Sequence, residues 1–135
     1  MEALLKDILD DIVKIDDILL IVRTGGAISE MRSNFLTLRQ KDRWITIGNN
    51  DGPCHMHVDA SAITSAKFVR EQKENRVRYS VRFFDAAGEK VLSAVFSKMY
   101  DDNMSVKPDR AKLYDELFQK YGSKETITFQ TQAAQ

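Results

Sequence analysis

The chain has 135 residues, of which 43% are hydrophobic and 30% are charged, a length and composition typical of a single globular domain. Its 20 basic and 20 acidic residues give a formal net charge of zero, which argues against general nucleic-acid binding. The longest aliphatic run, Ile18 to Val22, is too short to cross a membrane, and the single cysteine, Cys54, cannot form an internal disulfide. We therefore expect a cytoplasmic protein with neither nucleic-acid nor membrane partners.

The first part of the sequence predicts one helix followed by a β-hairpin. Apolar residues recur at spacings of three and four from Leu5 to Ile15, which is typical of an amphipathic helix, here from about Glu2 to Lys14. A short β-branched run, Ile18 to Arg23, precedes a Gly-Gly pair, and such a pair between apolar runs predicts a tight turn. The return strand then extends from Ala27 to about Met31.

The rest of the chain predicts further strands and a second helix. The strand candidates, separated by polar or glycine-containing turns, are Asn34 to Arg39, Arg43 to Gly48, Cys54 to Asp59, Ile63 to Gln72, Arg76 to Phe84 and Glu89 to Met99. Arg110 to Tyr121 has apolar residues at helical spacing, and from about Ser123 we expect a polar, frayed tail. Consecutive strands between two helices predict a single α+β domain over residues 1–135, with a large antiparallel β-sheet meander.

The only two histidines, His55 and His57, lie on one predicted strand. Side chains alternate along a strand, so both imidazoles share one face while Met56 and Val58 share the other. Neutral imidazole is a common ligand of metals and of haem iron. Exposed histidines are also often plain surface residues, and the pattern alone supports both interpretations.

Three arginines, Arg76, Arg78 and Arg82, share the face of their strand that lies opposite an alternating apolar set, Val77, Tyr79, Val81 and Phe83. The apolar set is expected to face the core. The arginine face is therefore either a solvated surface or an anion-binding wall, because guanidinium groups pair with carboxylates and phosphates. We expect these arginines and the two histidines to lie on non-core faces of one sheet.

The sequence contains no motif of a nucleotide-binding or hydrolytic enzyme: G-x-G-x-x-G, Walker, H-E-x-x-H and G-x-S-x-G patterns are all missing. Cys54 would point away from the neighbouring histidines on a strand, which gives a zinc site little support. Nucleotide cofactors and a structural zinc site therefore have little support from motifs.

The order and spacing of several segments between residues 17 and 100 can be compared with those of known protein families. They are His57 to Asp59, Ile63, Ala66 to Arg70, Ser80 to Glu89 and Phe96 to Met99, with an earlier hairpin from Ile21 to Glu30. The most specific among them is the Phe83-Phe84-Asp85-x-x-Gly88 hairpin. In this order and spacing they resemble the HemS/ChuX-type bacterial haem-utilisation proteins.

The resemblance implies one repeat of the HemS/ChuX sheet unit, which in small members pairs as a homodimer. It also implies cytoplasmic haem binding and trafficking for iron utilisation. We expect an apolar cleft for the haem, His55 or His57 as the iron ligand, and Arg76, Arg78 or Arg82 as partners of the propionates.

Two alternatives stay open at this point. Some larger members degrade haem with an electron donor, but their ligand histidine lies in a segment that this chain lacks, so binding is favoured over degradation. The second upstream histidine of small members is also missing, since nothing before Gly52 contains histidine. The chain could therefore be a module that binds another small anion or a protein partner.

Overall fold

The structure is a computed structural model that describes residues 4–130, and these residues contain two helices and nine strands. The helices are α1 (Leu5–Val13) and α2 (Pro108–Lys120). The strands are β1 (Ile18–Thr24), β2 (Ala27–Arg32), β3 (Leu38–Lys41), β4 (Trp44–Gly48), β5 (His55–Asp59), β6 (Ile63–Gln72), β7 (Val77–Asp85), β8 (Lys90–Phe96) and β9 (Thr126–Thr128). The predicted α+β class is confirmed, as is the Gly-Gly hairpin, in which Thr24 pairs with Ala27.

The strands form two antiparallel sheets, whereas the sequence predicts one. The large sheet has the order β2-β1-β8-β7-β6-β9, and the small sheet has the order β3-β4-β5. Strand β1 pairs with β8, from Ile18 opposite Phe96 to Ile21 opposite Ser93, so the first hairpin extends the β6-β7-β8 meander. The expectation that the histidines and arginines share one sheet is wrong, because β5 belongs to the small sheet and β7 to the large one.

One buried cluster joins both helices to one face of each sheet. It includes Ile8 of α1, Leu20 of β1, Ile47 of β4 and Tyr114 of α2. The Tyr114 ring makes edge-to-face contacts with the rings of Phe68, Tyr79 and Phe96, and its hydroxyl donates to the Ser80 carbonyl at 3.0 Å. We call these core-facing sides the inner faces of the sheets and the opposite sides the outer faces.

The predicted frayed tail is wrong for residues 123–130. Strand β9 pairs with β6, and the side chains of Ile127 and Phe129 are buried. The Phe129 ring stacks on Phe83, with 6.3 Å between the ring centroids. The alternation of threonine with apolar residues, rather than the polar average of the segment, decides its structure. Residues 131–135 of the predicted tail lie outside the described part of the chain.

Several strand ends also differ from the prediction. Strand β3 begins at Leu38 instead of Asn34, because residues 33–37 form a turn in which Phe35 has a positive φ of 66° and is fully exposed. Strand β7 begins at Val77, so Arg76 lies in the turn before it. Strand β8 ends at Phe96, where the chain leaves the sheet.

A guanidinium group ties α2 to the two loops at one end of the large sheet. Arg110 donates to the carbonyls of Asp16 (2.7 Å), Asp17 (3.3 Å) and Ser97 (2.8 Å). The first two carbonyls belong to the loop between α1 and β1, and the third follows β8. One side chain therefore holds three segments that are distant in sequence.

We predict that Arg110→Met lowers the free energy of unfolding by about 2–3 kcal/mol, because three carbonyls lose a charged donor. Lys112→Met is the matched control, since Lys112 is exposed on the same helix and, within residues 4–130, its one ion pair is with Glu116 at 3.7 Å. That change is expected to cost less than about 0.5 kcal/mol. Urea denaturation of both variants measures the difference, and equal midpoints would contradict the role given to Arg110.

Candidate functional site

His55 and His57 lie on the outer face of the small sheet, as the alternation of β5 predicts. Both side chains are exposed, whereas Val58 is buried and Met56 is half-buried on the inner face. The two imidazole rings touch edge to face, with centroids 5.2 Å apart and planes inclined by 67°. The strand thus presents two adjacent imidazoles to the solvent side of the sheet.

The His57 ring is oriented by a threonine on the neighbouring strand. Thr46 is directly opposite His57 in the β4-β5 register, and its Oγ1 lies 3.0 Å from His57 Nδ1. Thr46 is itself buried. With Nδ1–H donating to this hydroxyl, Nε2 keeps a free lone pair, the state in which an imidazole binds a metal. Of the two imidazoles, His57 is therefore the better oriented to bind a metal.

Two imidazoles on one face of a strand would offer a haem one axial ligand rather than two. Axial ligands approach the iron from opposite faces of the macrocycle. His55 and His57 project from the same face of one strand and their rings are in contact, so no macrocycle fits between them. The other axial position of an iron held here would be open.

The small sheet adds residues to this face that the sequence prediction missed. Arg39 is opposite Thr46, and Lys41 is opposite Trp44, which places all four on the outer face with the histidines. The Trp44 side chain is 43% exposed, a large fraction for an indole. Alternation along β3 and β4 would have identified these residues only once the register between the strands was known.

Charge pairing decides which cations on this face are available. Asp59 lies 3.6 Å from Arg43, whose guanidinium also stacks over the Trp44 ring at 5.2 Å. The hydrogen bond from the Ser61 side chain, helped by the Ser61 amide and by Arg43, holds the pKa of Asp59 below its usual value against the opposing effect of burial. Among residues 4–130, neither Arg39 nor Lys41 has a carboxylate within 4 Å. These two cations are available to an anionic ligand.

The three predicted arginines lie elsewhere, at two cavities associated with the large sheet. The smaller cavity, of about 280 Å³, is lined by Arg78 and Arg82 together with Ser80 and Ser93. The larger one, of about 710 Å³, is lined by Arg76 and Arg78. Neither of these two cavities is lined by a histidine, so a single chain does not bring the predicted iron ligands and the predicted propionate partners together.

Two further observations concern metals and membranes. Within residues 4–130, no three side chains of histidine, cysteine, aspartate or glutamate converge in a way that could hold a metal ion. Within the same range, neither helix has the length and apolarity needed to cross a bilayer.

Comparison with known proteins identifies the class to which this fold belongs. A protein-family model matches residues 6–122, and solved structures of haem-utilisation proteins share the fold. The chain belongs to the HemS/ChuX-type family of haem-utilisation proteins. The family prediction made from the sequence is thereby confirmed.

Three solved structures illustrate the likeness. The heme-binding protein ChuX is 14% identical, with a TM-score of 0.72 over 86% of this chain and 71% of ChuX. A protein from Agrobacterium tumefaciens is 23% identical, with a TM-score of 0.70 over 84% of this chain and 64% of that one. ChuS, an Escherichia coli heme oxygenase, is 19% identical, with a TM-score of 0.70 over all of this chain but only 37% of ChuS. Among curated proteins, none matches the chain.

A glycine beside the histidine strand yields a prediction about the site. Gly48 is opposite His55 and has a φ of +87°, and a Cβ at this position would lie 2.6 Å from the Cys54 carbonyl oxygen and 3.1 Å from His55 Cα. We predict that Gly48→Ala lowers the free energy of unfolding by about 1–3 kcal/mol and shifts the His55 ring resonances.

The matched control is Gly25→Ala, because a Cβ at Gly25 meets no atom within 4 Å and its φ is not positive. Urea denaturation and imidazole NMR spectra compare the two variants. If both changes have equal effects, Gly48 does not set the position of the histidine strand.

Proposed function

We propose that the chain binds haem on the outer face of the small sheet and carries it for iron utilisation in the cytoplasm. The observation that carries the proposal is one surface with two exposed imidazoles, an exposed indole and two unpaired cations. A haem has the matching chemistry: an iron that binds imidazole, an apolar macrocycle and two carboxylates. The family supports the choice, since its solved members include the heme-binding proteins ChuX and PhuS.

Each residue of this face has a role in the proposal. His57 binds the iron through Nε2, and Thr46 orients its ring. Trp44 packs against the macrocycle, and Arg39 and Lys41 pair with the propionates. His55, two residues earlier on the same face of β5, is the alternative ligand. We assign the propionates to Arg39 and Lys41 because Arg76, Arg78 and Arg82 belong to the large-sheet side of the molecule.

A single axial ligand suits a carrier. His57 would hold the iron from the sheet side, and the opposite side of the haem would stay accessible to an imidazole or thiolate of an acceptor. A three-stranded surface also buries less of the ligand than an enclosed pocket does, which favours release. The arrangement therefore supports transfer better than storage.

We predict that titration with haemin gives a saturable Soret shift whose apparent affinity falls about tenfold or more in His57→Ala. His55→Ala is expected to weaken binding less. The apparent affinity of Thr46→Val for haemin is expected to lie between those of these two variants. This change keeps the ligand His57 and removes only the hydroxyl that orients its ring.

Arg82→Gln is the control, since Arg82 lies on β7 of the large sheet and pairs with Glu71 at 3.5 Å. Wild-type affinity in a His55→Ala/His57→Ala double variant would overturn the ligand assignment. Ascorbate is then added to the haemin complex: a carrier keeps its Soret band, whereas loss of the band with release of iron would support the haem-degrading alternative.

We also propose a homodimer, as the resemblance implies. The outer face of the large sheet carries exposed Ile28 and Val91, 56% and 37% exposed, among side chains of both charge signs, Arg23, Glu30 and Lys90. Ile28 and Val91 lie outside the core cluster. A two-fold partner can cover an apolar patch of this kind while opposite charges at its rim pair with each other.

Light scattering after size-exclusion chromatography is expected to give a dimer for the wild type and a monomer for Ile28→Asp. Phe35→Asp is the matched control, because Phe35 is fully exposed in the turn before β3 and is not among the residues that line the cavity beside Ile28 and Val91. A monomeric wild type, or dimers of both variants, would contradict the proposed interface.

A further inference from the structure

The larger cavity, of about 710 Å³, is not used by the proposed haem site. It lies where the turn between β6 and β7, the start of β1 and the segment after β8 come together. Its volume is in the range of small-molecule sites, roughly 300–1,000 Å³. The site described below therefore goes beyond the proposed function and involves none of its residues.

Much of the cavity wall is apolar and held in place. Leu19, Val95, Phe96 and Met99 contribute to the lining, and Met99 and Phe96 are each only 3% exposed. The hydroxyl of Tyr100 accepts from the Val77 amide at 2.7 Å and donates to the Val77 carbonyl at 2.9 Å. These two bonds fix the segment after β8 against the start of β7, so the cavity is formed without a ligand.

Four basic residues line the cavity, and two of them are already paired. Lys73 contacts Glu71 at 2.8 Å, and Lys98 contacts Asp17 at 3.3 Å. Glu74 is the acidic residue of the lining.

Arg76 and Arg78 differ from the two lysines. Both are exposed, and neither has a carboxylate within 4 Å in the described part of the chain. Both line the same cavity, Arg78 from the start of β7 and Arg76 from the turn before it. Two unpaired guanidinium groups thus lie beside an apolar wall.

We propose that this cavity binds an amphipathic carboxylate. Arg76 and Arg78 hold the carboxylate through their planar N–H groups, and the apolar body packs on Leu19, Val95 and Met99. No imidazole lines the cavity, so recognition here does not require iron. A linear fatty acid and a metal-free tetrapyrrole dicarboxylate both combine an apolar body with a carboxylate. The experiment below distinguishes these two ligands.

Isothermal titration with decanoate tests the first source, and fluorescence titration with metal-free protoporphyrin tests the second. At least one of them is expected to bind, with an affinity that falls about tenfold in Arg76→Gln/Arg78→Gln because two charged contacts are lost. Glu74→Gln is expected to tighten binding about two- to threefold, since it removes a charge of the same sign as the ligand.

The controls separate this site from the haem site and from non-specific apolar binding. Arg82→Gln removes an arginine of β7 that does not line this cavity and is expected to leave the affinity unchanged, as is His55→Ala/His57→Ala. Decylammonium has the same number of carbon atoms as decanoate and the opposite charge, and it is expected not to bind. Binding of neither acid, binding insensitive to Arg76→Gln/Arg78→Gln, or equal binding of decylammonium would each overturn the proposal.

Discussion

The corner between β5 and β6 is the constraint on which the arrangement of both sites depends. Asp59 accepts hydrogen bonds from the Ser61 amide at 2.9 Å and from the Ser61 hydroxyl at 2.6 Å, and the Ala60 amide donates to the Arg43 carbonyl at 2.7 Å. These bonds end the small sheet, and within three residues the chain enters the large one. The corner therefore separates the histidine face from the arginine cavities.

Local pattern was sufficient to predict the features that depend on neighbouring residues. Alternation placed both imidazoles on the outer face of β5, and the Gly-Gly pair marked the first hairpin. The same reasoning could not assign strands to sheets, because Leu20 finds its partner Ala94 across a long stretch of chain. Nor could it place Thr46 beside His57, since that contact depends on the register between two strands. The average polarity of the tail predicts fraying, whereas the alternation at Ile127 and Phe129 determines its pairing with β6.

Ion pairs with carboxylates distinguish the basic side chains that stabilise the fold from those that are free to bind an anionic ligand. Residues from Lys67 to Lys98 include eight basic and four acidic side chains, which suggests one continuous cationic region. In the fold, Arg70, Lys73, Arg82 and Lys98 are each held by a carboxylate. Within residues 4–130, Arg76 and Arg78 have no carboxylate partner. Arg39 and Lys41 of the small sheet likewise have none. The net charge of a sequence segment therefore predicts anion binding less well than the number of guanidinium and ammonium groups that lack a carboxylate partner in the fold.

The two available pairs of cations lie in different surroundings, and this difference decides what each can recognise. Arg39 and Lys41 accompany imidazoles and an indole on an open surface. In the proposed haem site the iron-imidazole bond would have to supply selectivity, because little apolar area is buried. Arg76 and Arg78 accompany a preformed apolar wall. In the proposed acid site, burial and carboxylate pairing would suffice without a metal. Under the two proposals, one chain would recognise an iron at one site and an amphipathic acid at another, functions that one enclosed pocket would have to combine.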